Sequence, residues 1–279
     1  MAREPLLMIA FGRKGAGKSY ATFELIKQYV RGNPQKGVKP RRALIYDVND
    51  EYTGIPSISL SDIVHFSIHP RIEVRRIRPF KEGTGLKMTI DEMVTALEYI
   101  LNNYRNGLLL IEDVNRYISE TMPKDIYGNI ATQRHNGVDL IAHVQSIGRI
   151  TPKLWANTTV IRFHKQTESI ARHRGKYEEK FEYLCIAEAI VNRRFMSGDK
   201  YFFLYCDILT EKVYGKFTKA EFMEAADDYI ADNYKAIIRP LLNKVDKNGS
   251  RMYTPAEAQR EVSKRLLLSY YGNPDAKKP

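Results

Sequence analysis

Apolar residues recur along the chain in two rhythms. Short, mostly apolar runs, such as "LLMIAF" at 6–11, "ALIY" at 43–46, "LLLI" at 108–111, "VDLIAHV" at 138–144 and "TTVIRFH" at 158–164, are too short for buried helices and read as strands. The runs at 6–11 and 108–111 carry no polar alternation, which predicts burial on both faces. A 3.6-residue rhythm fills the gaps. A helix is expected from Lys18 to about Arg31, with Ala21, Leu25 and Tyr29 on one stripe and "GNPQKG" as its stop. The segment 89–107 is the clearest helix. Thr89 and Glu92 form a capping box, Met93, Leu97, Ile100 and Leu101 form the buried stripe, and Gly107 ends it.

Residues 63–78 read as two short strands broken at "HP", Lys124–His135 as a helix and 166–187 as mostly helical. "KYFFLYCD" and "EKVYGKF" read as a hairpin. Thr218 with Glu221 opens a further helix expected to reach Arg239–Pro240, and "TPAE" at 254–257 is a third capping box with Pro255 in its first turn. Strands alternating with helices predict an α/β fold with a mostly parallel sheet between helices. The expected division is a core domain at 1–217 and a small helical appendage at 218–279. In the appendage, acidic residues (Glu221, Glu224, Asp227, Asp228, Asp232) precede basic ones (Lys235, Arg239, Lys244, Lys247, Arg251), the pattern of a solvated helix surface or of a contact with a subunit or nucleic acid.

At 279 residues the chain is long enough for this arrangement. Its apolar runs are far too short to span a bilayer, and "MAREPLLMIAFG" lacks the pattern of a signal peptide. Two cysteines, Cys185 and Cys206, suit a reducing compartment. The expectation is a cytoplasmic protein, in the host cytoplasm or virion-associated if viral, with no membrane partner. Lys and Arg exceed Asp and Glu by 44 to 33, a formal charge of +11. That excess favours polyanionic partners, nucleic acid first.

The chemistry begins where the first strand ends. Gly12-Arg13-Lys14-Gly15-Ala16-Gly17-Lys18-Ser19 matches G-x-x-x-x-G-K-[ST], the Walker A phosphate loop. Its glycines let backbone N–H groups converge on phosphate oxygens, the second lysine reaches the β/γ-phosphates, and the serine hydroxyl binds Mg²⁺. Strand before and helix after make the match specific, and the helix points its positive end at the same anion. The nucleotide-binding candidates are residues 12–19 together with Tyr20. A phosphate loop also needs acids for the metal and the water. Glu112 and Asp113, at the tip of "LLLI", supply a Walker B pair: Glu112 with Ser19 for Mg²⁺, Asp113 as the base. Gln145, at the tip of the next strand, is placed to sense a γ-phosphate.

The phosphate loop, "IYDVNDEY" at 45–52, "LLLIEDVNRY" at 108–117 and "RHNGVDLIAHVQSIGRITPKLWANTTVIRF" at 134–163 come in the order of the HerA/FtsK superfamily of P-loop ATPases, which the chain resembles over about residues 5–165. The acidic pair departs from that group's usual order, which is Asp before Glu. The resemblance implies a RecA-like core, ATP and Mg²⁺ as cofactors, and a ring of six or five subunits. It also implies an arginine finger supplied in trans, for which Arg134, Arg149 and Arg162 are the candidates, Arg134 ranked first. Asp47 and Glu51 match the group's acidic turn. The function implied is translocation of double-stranded DNA, most of all viral genome packaging, with a portal or capsid vertex as docking partner. A Zot-like phage-assembly ATPase is the alternative.

A sequence-independent grip on DNA needs exposed cations. The candidates are Arg75, Arg76, Arg78 and Lys81 in "RIEVRRIRPFK" and Arg172 and Arg174 in "RHRGK". Two minor alternatives rest on shorter signals. "NKVD" at 243–246 and "DIYG" at 125–128 resemble guanine-reading and switch motifs of a GTPase, and "RHRGK" resembles the arginine-rich lid of a nucleotide kinase.

Overall fold

In a computed structural model the structure describes residues 5–114, 128–130, 132, 133 and 135–272. The chain divides into two compact units, residues 1–160 and 161–279. Half of the expected helix at Lys124–His135 lies outside the described residues, and 128–130 and 132 are helical.

The first unit is built on parallel strands in the order β3-β2-β4-β5-β1. These are β1 (Leu7–Phe11), β2 (Arg42–Tyr46), β3 (Val74–Ile77), β4 (Gly107–Ile111) and β5 (Asp139–Val144). Every residue of β1, β2, β4 and β5 is buried, which explains the unbroken apolar runs of β1 and β4: helices and loops cover both faces. Registers pair Phe11 with Val144, Ile111 with Ala142 and Tyr46 with Ile111. The C-terminal ends of four strands therefore lie level along one sheet edge, the usual place for ligands in such folds.

Helix α1 (Lys18–Arg31) follows β1 and ends at Gly32. Its buried positions are Thr22 and Ile26, one residue away from the predicted stripe of Ala21, Leu25 and Tyr29. The shift has a polar cause: Thr22 is turned inward by a hydrogen bond to His143. Helix α2 (Ile63–Ile68) replaces the first of the two strands expected in 63–78. Its β-branched residues suggest a strand, but Ile63, Phe66 and Ser67 are the buried ones, a helical spacing. The second of those strands is β3. Helix α3 (Ile90–Asn103) carries the Thr89–Glu92 capping box and buries Met93, Ala96, Leu97, Ile100 and Leu101. Tyr46 ties it to β2 by donating to the Met93 carbonyl at 2.7 Å. A short helix, α4 (Pro152–Ala156), follows β5.

The second unit contains strands in the order β6 (Val160–His164), β7 (Phe203–Asp207) and β8 (Lys212–Gly215), with β7 and β8 antiparallel as the hairpin reading expects. The predicted span 166–187 is mostly helical: short helical turns at Ile170–His173, Arg174–Tyr177 and Glu178–Lys180 lead into helix α5 (Phe181–Met196), with a break at Glu178, whose φ is 22°. Helix α6 (Lys219–Asp232) and helix α7 (Pro255–Tyr270) both start with the predicted capping boxes. Helix α6 ends at Asn233, short of the expected Arg239–Pro240, and short turns at Tyr234–Ile237 and Arg239–Leu242 follow. Much of its acidic surface is paired within the unit: Arg193 meets Glu224 and Asp228, and Arg194 meets Glu221. Among the described residues no helix is long and apolar enough to cross a membrane.

Candidate nucleotide site

The phosphate loop leaves β1 at Gly12, whose amide donates to the Val144 carbonyl of β5 at 3.3 Å. Gly15 (φ 78°) and Gly17 (φ 84°) occupy the left-handed region, where a side chain would be strained. Gly17 caps α1 without a side-chain hydrogen bond, so the first amides of the helix face outward toward an anion. Lys18 folds back over the loop, its Nζ donating to Gly12 O at 2.6 Å and Arg13 O at 3.3 Å. Arg13, Lys14, Gly15 and Tyr20 are exposed, Tyr20 by 73%, whereas Ala16 is buried.

Glu112 follows β4 directly and is buried. The Ser19 hydroxyl donates to its Oε1 at 3.4 Å, and Tyr52 donates to the same oxygen. His143 Nδ1 lies 3.0 Å from its Oε2, and His143 Nε2 lies 2.7 Å from Thr22 Oγ1. Burial pushes the Glu112 carboxyl up, but the charge and hydrogen bond of His143, the Tyr52 hydroxyl and Lys18 outweigh it and hold the group at about 2. Glu112 is a carboxylate at neutral pH.

Asp113 sits beside it with φ 46°. Gln145, exposed at the end of β5, donates from Nε2 to Asp113 Oδ1 at 3.2 Å. Arg149 in turn donates to Gln145 Oε1 at 3.4 Å. Asp113, Gln145 and Arg149 thus form one polar chain along the sheet edge. Asp47, at the end of β2, accepts from the amides of Glu51 (2.9 Å) and Tyr52 (3.0 Å) and so shapes the turn that carries Tyr52 to Glu112. Glu51 stays exposed, and desolvation, then the charges of Glu112 and Asp47, raise its carboxyl while Lys14 opposes them.

The predicted residues therefore separate. Residues 12–19, Glu112, Asp113 and Gln145 share the C-terminal edge of one sheet, and Arg149 joins them. Arg134 lies outside the described residues. Arg162 is fully buried in the second unit, with Nε 3.1 Å from His164 Nε2 and its guanidinium over the Phe203 ring. A side chain with no exposed surface is not placed to reach a neighbouring molecule, so Arg162 does not suit a trans finger.

Among the DNA candidates, Arg76 is buried between Asp47 and Asp50, and Arg78 also pairs with Asp50. Arg76 is thus withdrawn from any surface, because burying a guanidinium requires that its charge be spent on local carboxylates. Arg75 pairs with Glu73 and Lys81 with Glu92. Arg172 and Arg174 are exposed, the latter with its guanidinium over the Phe181 ring. "NKVD" lies in an exposed turn of the second unit, away from any strand end; most of "DIYG" lies outside the described residues.

Sequence reasoning missed Tyr52, Thr22 and His143. The signal for His143 was present: it is the one polar interruption within the apolar run of β5, and it is 1% exposed.

No family model matches the sequence, and no curated protein matches it. Solved structures do. The crystal structure of B204, the DNA-packaging ATPase from Sulfolobus turreted icosahedral virus, is 17% identical with TM-score 0.51, over 76% of this chain and 97% of that one. The genome packaging NTPase B204 from Sulfolobus turreted icosahedral virus 2, in complex with AMP, is 20% identical with TM-score 0.50, over 77% of this chain and 98% of that one. The fold is that of a P-loop NTPase. The strand order, the loop after β1 and the acids after β4 are the parts of the P-loop NTPase fold that place its phosphate loop and its carboxylates on one edge.

The donor set at this edge suits Mg²⁺ rather than a softer metal. Ser19 and Glu112 offer hard oxygens, few enough for the ion to keep waters and share phosphate oxygens. Among the described residues no group of three or more His, Cys, Asp or Glu side chains forms a metal cage of its own.

Proposed function

We propose that the protein is an ATP-hydrolysing motor of the genome-packaging type, acting on double-stranded DNA as a ring. One observation carries the nucleotide part: the phosphate-loop Ser19 and the carboxylate Glu112 face each other at 3.4 Å on the ligand-binding edge of the sheet. In this reading the loop amides and Lys18 bind the phosphates, and Ser19 and Glu112 hold Mg²⁺. Mg²⁺ held there would supply charge neutralisation to the phosphates. Asp113 accepts the proton of the attacking water, and Gln145 orients that water beside it. The similarity to packaging ATPases supports ATP, DNA and ring assembly, with a pentamer or hexamer and a portal or capsid vertex as docking partner. The ATPase core spans 1–217 and the helical appendage 218–279. Arg149 is the trans-finger candidate that the described residues leave exposed; Arg134 remains the other.

The DNA part rests on the exposed cations Arg172 and Arg174, with exposed Arg78 and half-buried Arg75 and Lys81 at lower weight because each pairs with a carboxylate. The test is ATP hydrolysis by the purified protein with and without double-stranded DNA across a salt series. Stimulation by DNA that fades with salt and disappears in Lys18→Ala is expected. Arg172→Ala and Arg174→Ala should each reduce the salt slope of DNA binding by about one. Hydrolysis in wild type that ignores DNA at every salt would sink the translocase reading, and preference for GTP would sink the ATPase assignment.

A further inference from the structure

Glu112 is held from both sides by one helix. On one side the Ser19 hydroxyl of α1 reaches Oε1 at 3.4 Å. On the other, Thr22, one helical turn further along α1, reaches His143 Nε2 at 2.7 Å, and His143 Nδ1 reaches Oε2 at 3.0 Å. Residues three apart share a helix face, so Ser19 and Thr22 close a ring of hydrogen bonds through His143 and back to Glu112. Thr22 and His143 are 0% and 1% exposed. A buried polar pair of this kind is retained only if its bonds are made.

The chemistry orders the ring. A carboxylate only accepts, so His143 Nδ1 donates to Glu112; Nε2 accepts from the Thr22 hydroxyl when the ring is neutral and donates to it when the ring is charged. An apolar residue at 143 would make neither of these bonds. It would remove the donor at Oε2 and leave the carboxylate positioned by Ser19 and Tyr52 at Oε1 without that constraint on its other oxygen.

We propose that His143, held by Thr22, is a positioning residue for the metal site: it occupies one oxygen of Glu112 so that the other faces Ser19 and the Mg²⁺ that the two would share. The inference rests on the ATPase reading and deepens it. Groups that orient a metal's ligands alter its affinity without touching it, by about 10–100-fold when removed.

The experiment compares nucleotide affinity, read with a fluorescent ATP analogue, in EDTA and over a Mg²⁺ titration. Wild type, His143→Leu, His143→Asn and Thr22→Val are each checked for folding by circular dichroism and thermal midpoint. In His143→Leu the Mg²⁺ concentration that tightens nucleotide binding should rise about 10-fold or more, with affinity in EDTA unchanged. Asparagine offers a donor near the Nδ1 position, so His143→Asn should recover most of that loss. Thr22→Val should show a smaller loss of about 2–10-fold, the worth of one hydrogen bond. If His143→Leu fails to fold, Thr22→Val carries the test. A wild-type Mg²⁺ requirement in both Thr22→Val and His143→Leu, or in Thr22→Val where His143→Leu does not fold, overturns the inference, as does equal loss of affinity in EDTA. A wild-type protein that binds no nucleotide at all overturns the ATPase reading, and the inference falls with it. Binding that tightens with Mg²⁺ equally in all four proteins overturns the inference alone.

Discussion

Arg76 and Asp47 form a buried ion pair, Nη1 to Oδ2 at 2.8 Å, with side chains 8% and 0% exposed. The same guanidinium nitrogen reaches Asp50 at 2.6 Å, and Arg76 Nε donates to the Ile55 carbonyl at 2.9 Å. Asp47 meanwhile holds the turn whose Tyr52 meets Glu112. An arginine on strand β3 is therefore linked, through one aspartate, to the carboxylate beside the phosphate loop.

Arg76→Ala leaves Asp47 buried without its countercharge. The expected loss is about 3–5 kcal/mol of stability, the range for breaking a buried pair. Urea denaturation measures it. The double variant Arg76→Met/Asp47→Leu should recover part of the loss, because paired removal avoids a stranded charge. A loss below about 1 kcal/mol for Arg76→Ala would mean that water reaches the pair.

A second expectation concerns acid stability. Glu182 of α5 accepts two hydrogen bonds from Arg265 of α7, both at 3.0 Å, and one from Tyr270 at 2.7 Å. Partial burial raises its carboxyl, but the bonds from Arg265 and Tyr270 outweigh burial and lower it. A lowered folded-state value stabilises the fold above the ordinary glutamate range. That stability is lost as pH falls through the lowered value. Arg265→Met should cost on the order of 1 kcal/mol at neutral pH, since the pair is partly exposed. It should also flatten the acid limb of a stability–pH curve. Parallel curves for variant and wild type would refute this assignment.

The third separates the two carboxylates of the site. Asp113→Asn should lower kcat by about 10²–10⁴, the usual worth of a positioned base, and leave the Mg²⁺ requirement near that of wild type. Glu112→Gln should raise the Mg²⁺ requirement. Steady-state kinetics over a Mg²⁺ series read both. The opposite pattern would reverse the roles.

Most of the frame was legible in the sequence because its signals are local. An unbroken apolar run ending at Gly12, capping boxes at Thr89, Thr218 and Thr254, and a stop at Gly32 each act within a few residues. The misreadings have physical causes. In 63–68 the β-branched residues favoured a strand, while the buried set Ile63, Phe66 and Ser67 follows a helix. In α1 a polar residue, Thr22, occupies the inner face because His143, 121 residues away, gives it a partner. The site was half legible. Gly12–Ser19, Glu112 and Asp113 announce themselves by spacing. Tyr52 and His143 do not, since their roles depend on strand order and register rather than on neighbours in the chain. Arg76 resembled a surface cation only because Asp47 and Asp50 lie more than 25 positions earlier.

The backbone at residue 113 gives the reversed acidic pair a reason. With φ at 46° the chain turns left-handed immediately after Glu112, a turn that aspartate tolerates better than longer side chains do. Residue 112, whose amide still bonds the Tyr46 carbonyl of β2, spans Ser19 on one side and His143 on the other with the longer side chain of glutamate. Exchanging the two residues would crowd the bend and shorten the reach at once. Their order is thus a matter of stereochemistry: the acid that must reach far stands before the corner, and the compact one stands on it.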